Sequence, residues 1–315
     1  VYNESEDYLN KSIESVLNQS FSDFEFIIVI DNPKYNKARE VASAYARKDK
    51  RIRVVLNDKN VGLAASLNKA FSVTRGEYIA RMDADDISFP ERLNKQFNFM
   101  KKHPDIAIMG SSIVYIDEAG KIIESKLNRS NYQFLKRFIL YGGTPCFHPT
   151  WFFKRSLLDT VKGYRILPTS QDFDFLMRVF FLGIKVSNME EPLLYRRIHL
   201  ASVSEEKNVY QLKLTRYIVK AAKEGFIMND EKFSSDIIRG VLKTPLILRL
   251  LHRLSLRMGI FSSRLKNNKR ILGFLIYCIS VLISPYRLYH GLQSLKRLLT
   301  ITILETREMR SRSAV

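Results

Sequence analysis

At 315 residues, 46% of them hydrophobic and 26% charged, the chain can bury a sizeable core, and its composition excludes a disordered, collagen-like or low-complexity protein. Its two cysteines, Cys146 and Cys278, stand far apart in no metal-ligand spacing, which fits a reducing cytoplasm and argues against a disulfide-built secreted domain. The net charge of +19 is lopsided: from Arg239 onward 15 Lys and Arg face two acidic residues, a basic tail suited to nucleic acid or lipid head groups.

The chain opens Val1-Tyr2-Asn3 with no signal peptide before the first helical pattern, and a preceding strand is expected to be missing. Leu9, Ile13, Val16 and Leu17 share one face of a helix over 6–20. The apolar run Phe24-Glu-Phe-Ile-Ile-Val-Ile30 suits a strand buried on both faces, ending at Asp31-Asn32-Pro33. A helix over 38–47, a strand over 51–56, a helix over 62–74 and a strand over 77–82 follow. This alternation predicts an α/β fold, a mostly parallel sheet flanked by helices. Pro90 opens a helix to about 103. A strand over 106–116 leads into a hairpin turn at 118–121. Next come a helix over 131–141, an extended stretch over 147–153, a helix over 170–181 and short strands over 185–189 and 193–198. Everything beyond 203 reads as helix. The expected division is therefore a first domain at 1–205 and a basic helical region at 206–315.

Two acidic clusters, Asp31 and Asp83-Ala84-Asp85-Asp86, sit where strands end, and open α/β sheets bind ligands outside those ends. Alternate carboxylates such as Asp83 and Asp85 can address neighbouring parts of one ligand. Hard divalent cations are often held by one or two carboxylates plus substrate phosphates. Alone, such a pair reads more readily as a helix cap or a solvated turn.

The ordered set is more specific than its parts. Val1-Tyr2-Asn3, the segment Ser12–Ser20, Asp31, Asn60-Val-Gly-Leu63, Arg75–Asp86 and Pro90-Glu-Arg-Leu93 come in succession. Phe147-His-Pro-Thr150, Gly163-Tyr164, Gln171-Asp-Phe-Asp174 and Tyr195-Arg-Arg-Ile-His199 follow. Over about residues 1–205 this series resembles glycosyltransferase family 2, inverting enzymes of GT-A fold that include many bacterial polysaccharide enzymes. The resemblance implies a nucleotide-sugar donor, a UDP-sugar by the family's habit, and a divalent metal, Mn²⁺ or Mg²⁺. It places Tyr2 and Asp31 at the nucleobase, Asp83 at the ribose and Asp85 on the metal, with His199 completing the metal or diphosphate site. Asp172 takes the position of the general base, with Asp174 as the fallback. His148 would line the donor or acceptor pocket, and Arg196 or Arg197 would pair with phosphate. The pattern departs from the family at Asn32-Pro33, where Asp-Gly is usual, and at Gln171, where Glu is common. Read without the family, Asp172 serves equally as a favourable charge at a helix N-terminus.

In the tail, Arg249, Arg253 and Arg257 recur every fourth residue on an otherwise apolar helix, the layout of an interfacial helix. Residues 271–286 carry no charge but fall short of the roughly 20 that span a bilayer, so an interfacial or re-entrant placement is expected. The bland alternative is a core-facing helix in a helical cap. The same character continues over 288–304, with Lys296 and Arg297. These features point to peripheral attachment at the cytoplasmic face of the membrane, with no nucleic acid, and the family resemblance implies a glycan or lipid-linked acceptor there. Two rivals stay open: a nucleotidyltransferase, which would usually carry a Gly-rich basic phosphate loop not visible here, and a non-enzymatic nucleic-acid binder.

Overall fold

The computed structural model describes residues 1–199, 205–263, 270–285 and the isolated positions 288, 291, 292 and 295. The chain divides into two compact units, Val1–Leu135 with Thr144–His199, and Lys136–Gly143 with Leu200–Val315.

In the first unit α1 (Glu6–Leu17) is capped by Ser5, whose hydroxyl accepts from the Tyr8 N–H, and Glu6 and Asp7 occupy its first turn. Strands β1 (Phe26–Ile30) and β2 (Ile52–Leu56) pair in parallel through α2 (Asn36–Lys48). Leu9, Ile13, Ile28, Ile30, Ala38, Ala42 and Ile52 bury one another, so α1, α2 and the two strands share one core. The helix α3 (Leu63–Val73) starts at Gly62, whose φ of 82° is open to glycine at no steric cost.

The chain continues through β3 (Tyr78–Ala80), β4 (Ile87–Ser88), α4 (Arg92–Lys102), β5 (Ile106–Ile116), β6 (Ile122–Lys126) and α5 (Tyr132–Leu140). Then come β7 (Phe152–Lys154), α6 (Leu157–Val161), α7 (Gln171–Phe181) and β8 (Lys185–Arg197). A second sheet has the order β3-β7-β5-β8-β4, with β6 beside β5. The class is α/β as expected, and the pairing within it is mixed. β1–β2 and β5–β8 are parallel, while β3–β7, β5–β7, β5–β6 and β4–β8 are antiparallel. Short reversals account for this, such as the β5–β6 hairpin that turns at Gly120 with φ 88°.

Three local expectations change. The stretch over 147–153 is extended only at its end, because His148–Thr150 forms a 3₁₀ turn in which Thr150 Oγ1 donates to the Phe147 carbonyl at 2.7 Å. The two strands expected over 185–198 are one strand, β8, irregular beside Pro192, which has no N–H for the ladder. The two-residue strand β4 was not foreseen; it pairs Ile87 with Tyr195 and Ser88 with Leu194, drawing the acidic loop to the end of β8.

The second unit contains α8 (Glu205–Lys223), a 3₁₀ turn at Asp230–Phe233, α9 (Ser235–Leu242), α10 (Leu246–Ser263) and α11 (Arg270–Ile283). Leu214, Ile218, Ala221, Ile227, Phe233 and Ile238 are buried in it. No described helix is long and apolar enough to cross a membrane. The helical stretch expected over 288–304, with Lys296 and Arg297, lies almost wholly outside the described residues.

Candidate active site

Asp31 ends β1 with its carboxylate buried and engaged. Oδ1 accepts from Asn57 Nδ2 at 2.9 Å and from the Val61 N–H at 2.8 Å, and Oδ2 accepts from the Gly62 N–H at 2.9 Å. Burial opposes ionisation, but these donors outweigh it and hold the carboxyl below its ordinary value. Asp31 therefore fixes the loop that opens α3. Tyr2 lies beside this strand end, because Val1 bonds to both Val29 and Asp31 through its backbone, and the ring of Tyr2 is exposed. Asn57 also donates to Ser66 Oγ at 2.8 Å. Asn57→Ala should cost about 1–3 kcal/mol, the penalty of leaving buried acceptors short of a donor. Urea unfolding checks this; an unchanged midpoint would show that the loop does not depend on Asn57.

The acidic loop lies between β3 and β4. Asp83 pairs with Arg81, a guanidinium almost wholly buried, whose Nε and Nη1 have no hydrogen-bond partner among the described residues. Asp85 Oδ2 meets His199 Nε2 at 2.7 Å, and His199 Nδ1 is 3.8 Å from Glu118 Oε1. Burial, and then the charge of Asp83, push the Asp85 carboxyl above its ordinary value, so a cation beside it would be welcome. Among the described residues no three His, Cys, Asp or Glu side chains converge as metal ligands. Asp85 and His199 could thus supply two positions to Mn²⁺ or Mg²⁺, leaving the rest to phosphates and water, the usual arrangement for such ions at phosphate substrates. Asp86 is buried and accepts from the Arg197 N–H at 2.9 Å, and burial raises its carboxyl well above the ordinary range.

Asp172 sits in the first turn of α7. Burial raises its carboxyl pKa, opposed by the Phe173 N–H and the charges of Arg81 and Arg196. His148 Nε2 is 2.7 Å from the Tyr164 hydroxyl, and its ring packs edge-on against Trp151. Burial, then Arg81 and Arg196, push His148 well below its ordinary value, so it is neutral. The Tyr164 hydroxyl feels both Asp172 and Asp83. Asp83, Asp172, Arg81, His148 and Tyr164 therefore form one electrostatic neighbourhood.

Alternation along β8 separates its two arginines. Arg197 is buried: Nε donates to the Asp85 carbonyl at 3.1 Å, Nη1 to Asp117 and Glu118 carbonyls, and the guanidinium lies 4.2 Å from the Tyr8 ring centre. It braces the acidic loop through Nε and Nη1. Arg196, half-buried, directs its charge at Asp86, His148 and Asp172. Asp174, the fallback base, is fully buried between Arg165 and Arg178 at 2.8 Å each, a structural triad of ions. The sequence motifs contain Arg81 and Tyr164 without giving either a role, and they leave out Asn57. Arg81 stands two residues before Asp83, at the end of the strand expected over 77–82, so period-two alternation could have pointed to it.

Residues 1–162 match the sequence pattern of Glycosyl transferase family 2. An uncharacterized glycosyltransferase of Methanocaldococcus jannaschii is 41% identical over 220 residues, covering 67% of this chain and 76% of that protein. The O-antigen biosynthesis glycosyltransferase WbnJ of Escherichia coli is 32% identical, over 64% of this chain and 79% of its own. Among solved structures, S. aureus TarS in complex with UDP-GlcNAc aligns with a TM-score of 0.56 at 18% identity, covering 89% of this chain and 78% of that one. The mannosyltransferase PcManGT from Pyrobaculum calidifontis, in complex with GDP-Man and Mn²⁺, also gives 0.56 at 13% identity, covering 96% and 84%. At such identities these two speak for the fold alone, the expected GT-A type. The family pattern spans more than half of the sequence and takes in both acidic clusters, so the chain belongs to glycosyl transferase family 2 and is a glycosyltransferase.

Proposed function

We propose that this chain moves a sugar from a nucleoside diphosphate sugar, a UDP-sugar by preference, to a hydroxyl of a glycan or lipid-linked acceptor in cell-envelope polysaccharide synthesis. The observation that carries this reading is that Asp83 and Asp172 share the charge of Arg81, with Asp85 beside Asp83 and bonded to His199. Relatives named for O-antigen and amylovoran biosynthesis support the polysaccharide assignment. Tyr2 and Asp31 would meet the base, where Asp31 Oδ2 accepts one described donor and has room for another, and Asp83 would meet the ribose. Asp85, with His199, would hold Mn²⁺ or Mg²⁺, which when bound neutralises charge on the leaving diphosphate. Arg196 would share that task, and neutral His148 would line the acceptor or donor pocket.

The transfer inverts the anomeric carbon. The acceptor oxygen bonds to that carbon as its bond to the diphosphate oxygen breaks, the electron pair leaves with the diphosphate, and Asp172 takes the hydroxyl proton. The basic C-terminal region would bring the enzyme to the cytoplasmic face of the membrane, where a lipid-linked acceptor lies.

A screen of UDP-, GDP- and dTDP-sugars with Mn²⁺ or Mg²⁺ tests the reaction. Release of UDP from one sugar only when the ion is present is expected; release from none of them would overturn the donor assignment. The pH profile adds a sign. Asp172 must be ionised to accept a proton, and its pKa is raised, so kcat should fall on acidification through a pKa above the ordinary aspartate value of 3.8. A profile flat down to pH 4 would count against Asp172.

A further inference from the structure

The helices α10 and α11 pack against each other with their polarity reversed. A helix pair built for water buries its apolar stripe and turns polar residues outward. Here the contact between the helices buries His252 and Ser255 of α10, Ser280 of α11 and Ser284 just past its end. His252 Nδ1 is 2.8 Å from Ser284 Oγ, Ser255 donates to the Ser280 carbonyl, and Ser280 Oγ donates to the Tyr277 carbonyl at 2.7 Å. Apart from an edge of arginines, the described outer surface is largely apolar. Along α11, Leu272, Phe274, Leu275, Ile279 and Leu282 are about half to two-thirds exposed, Phe274 at 67%. Along α10, Leu246, Ile247, Leu250, Leu254 and Phe261 do the same, with Leu246 at 69%.

Small and hydroxyl-bearing residues at the helix contact, with leucines outside, make up the packing of helices dissolved in hydrocarbon. An apolar surface of this extent is rare on a soluble monomer. Charge identifies the apolar medium. Arg249, Arg253 and Arg257 are exposed along one edge of the α10 apolar face, and no acidic residue lies between Asp236 and Glu305. That edge suits anionic head groups, with the leucines below them. Length limits the depth: the 14 residues of α11 reach about 21 Å at 1.5 Å each, short of a hydrocarbon core of about 30 Å.

We infer that α10 and α11 form a hairpin that inserts into one leaflet of an anionic phospholipid bilayer, its serine contacts inside and its leucines among the acyl chains. This deepens the membrane attachment proposed above and rests on it. The partner is the lipid hydrocarbon itself, so attachment should outlast the screening of charge.

Flotation on phosphatidylcholine vesicles containing phosphatidylglycerol, at low and high salt, is combined with bromine quenching in a Phe274→Trp variant. The expected result is flotation that persists at high salt, with the new Trp quenched by lipids brominated on the acyl chain. Leu275→Asp/Ile279→Asp should weaken partitioning by on the order of 100-fold or more, because aspartate is costly in hydrocarbon, while thermal unfolding in detergent-free buffer stays unchanged. Flotation lost at high salt, with no quenching, would overturn insertion while leaving surface attachment standing. Absence of flotation at either salt concentration, with self-association of the purified chain, would overturn both and assign the apolar face to a second copy.

Discussion

Asp172→Asn is expected to lower turnover by about 10²–10⁴-fold, the usual contribution of general-base catalysis, while donor binding stays within about twofold. The amide keeps the size of the side chain and its place in the first turn of α7, but it cannot take a proton. The loss therefore falls on kcat, since the group acts only as the acceptor oxygen attacks. Stability gives a second, opposite readout. The native pKa of Asp172 is raised by burial, so the contribution of this group to folding is fully present at low pH and declines as pH rises through that pKa. At neutral pH the ionised carboxylate is a burden on the fold, and Asp172→Asn should unfold no earlier than wild type. A variant that turns over normally would remove the base assignment; one that unfolds early would make Asp172 a structural charge.

Asp85→Ala is expected to abolish the benefit of Mn²⁺ for UDP binding and to lower kcat by on the order of 10²–10³-fold, the loss of several kcal/mol of charge neutralisation on the leaving group. The same reasoning on raised pKa applies: burial and Asp83 disfavour the ionised Asp85, so its removal should not weaken the fold. Isothermal titration of UDP with and without Mn²⁺ separates the cases. Wild type should bind more tightly with the ion, and the variant equally in both. A variant that keeps the full effect of Mn²⁺ would move the metal elsewhere.

Much of the framework was legible in the sequence because it rests on local signals. The run ending at Ile30 is β-branched and apolar, so it forms a strand whatever packs on it, and Asp31 must then stand at its end. Helix α7 follows from the spacing of Phe173, Leu176, Met177 and Phe180, which puts Asp172 in its first turn. The family resemblance supplied roles that no single segment could, and the family match leaves the nucleotidyltransferase and nucleic-acid-binding alternatives without support.

The unread parts depend on long-range partners. Arg196 and Arg197 are equivalent as neighbours in sequence. Only the pairing of β8 with β5 and β4 decides that Arg197 braces the Asp85 and Asp117 carbonyls while Arg196 faces the carboxylates. Asp174 resembled a spare base until Arg165 and Arg178 closed on it. Arg81 looked like an ordinary strand residue, since its burial and its bond to Asp83 appear only once β3 is paired with β7. The reversed polarity of α10 and α11 was likewise hidden. A helical pattern shows which residues share a face, but it does not show whether serines or leucines will be turned toward the neighbouring helix.

The most direct measurement is a crystal structure of Asp172→Asn with Mn²⁺ and the intact donor, read in the manganese anomalous signal. The expected map has one peak on the Asp85 carboxylate bridging the diphosphate, with the anomeric carbon turned toward residue 172. A donor whose diphosphate and anomeric carbon lie in a cleft that residue 172 does not face would contradict the account.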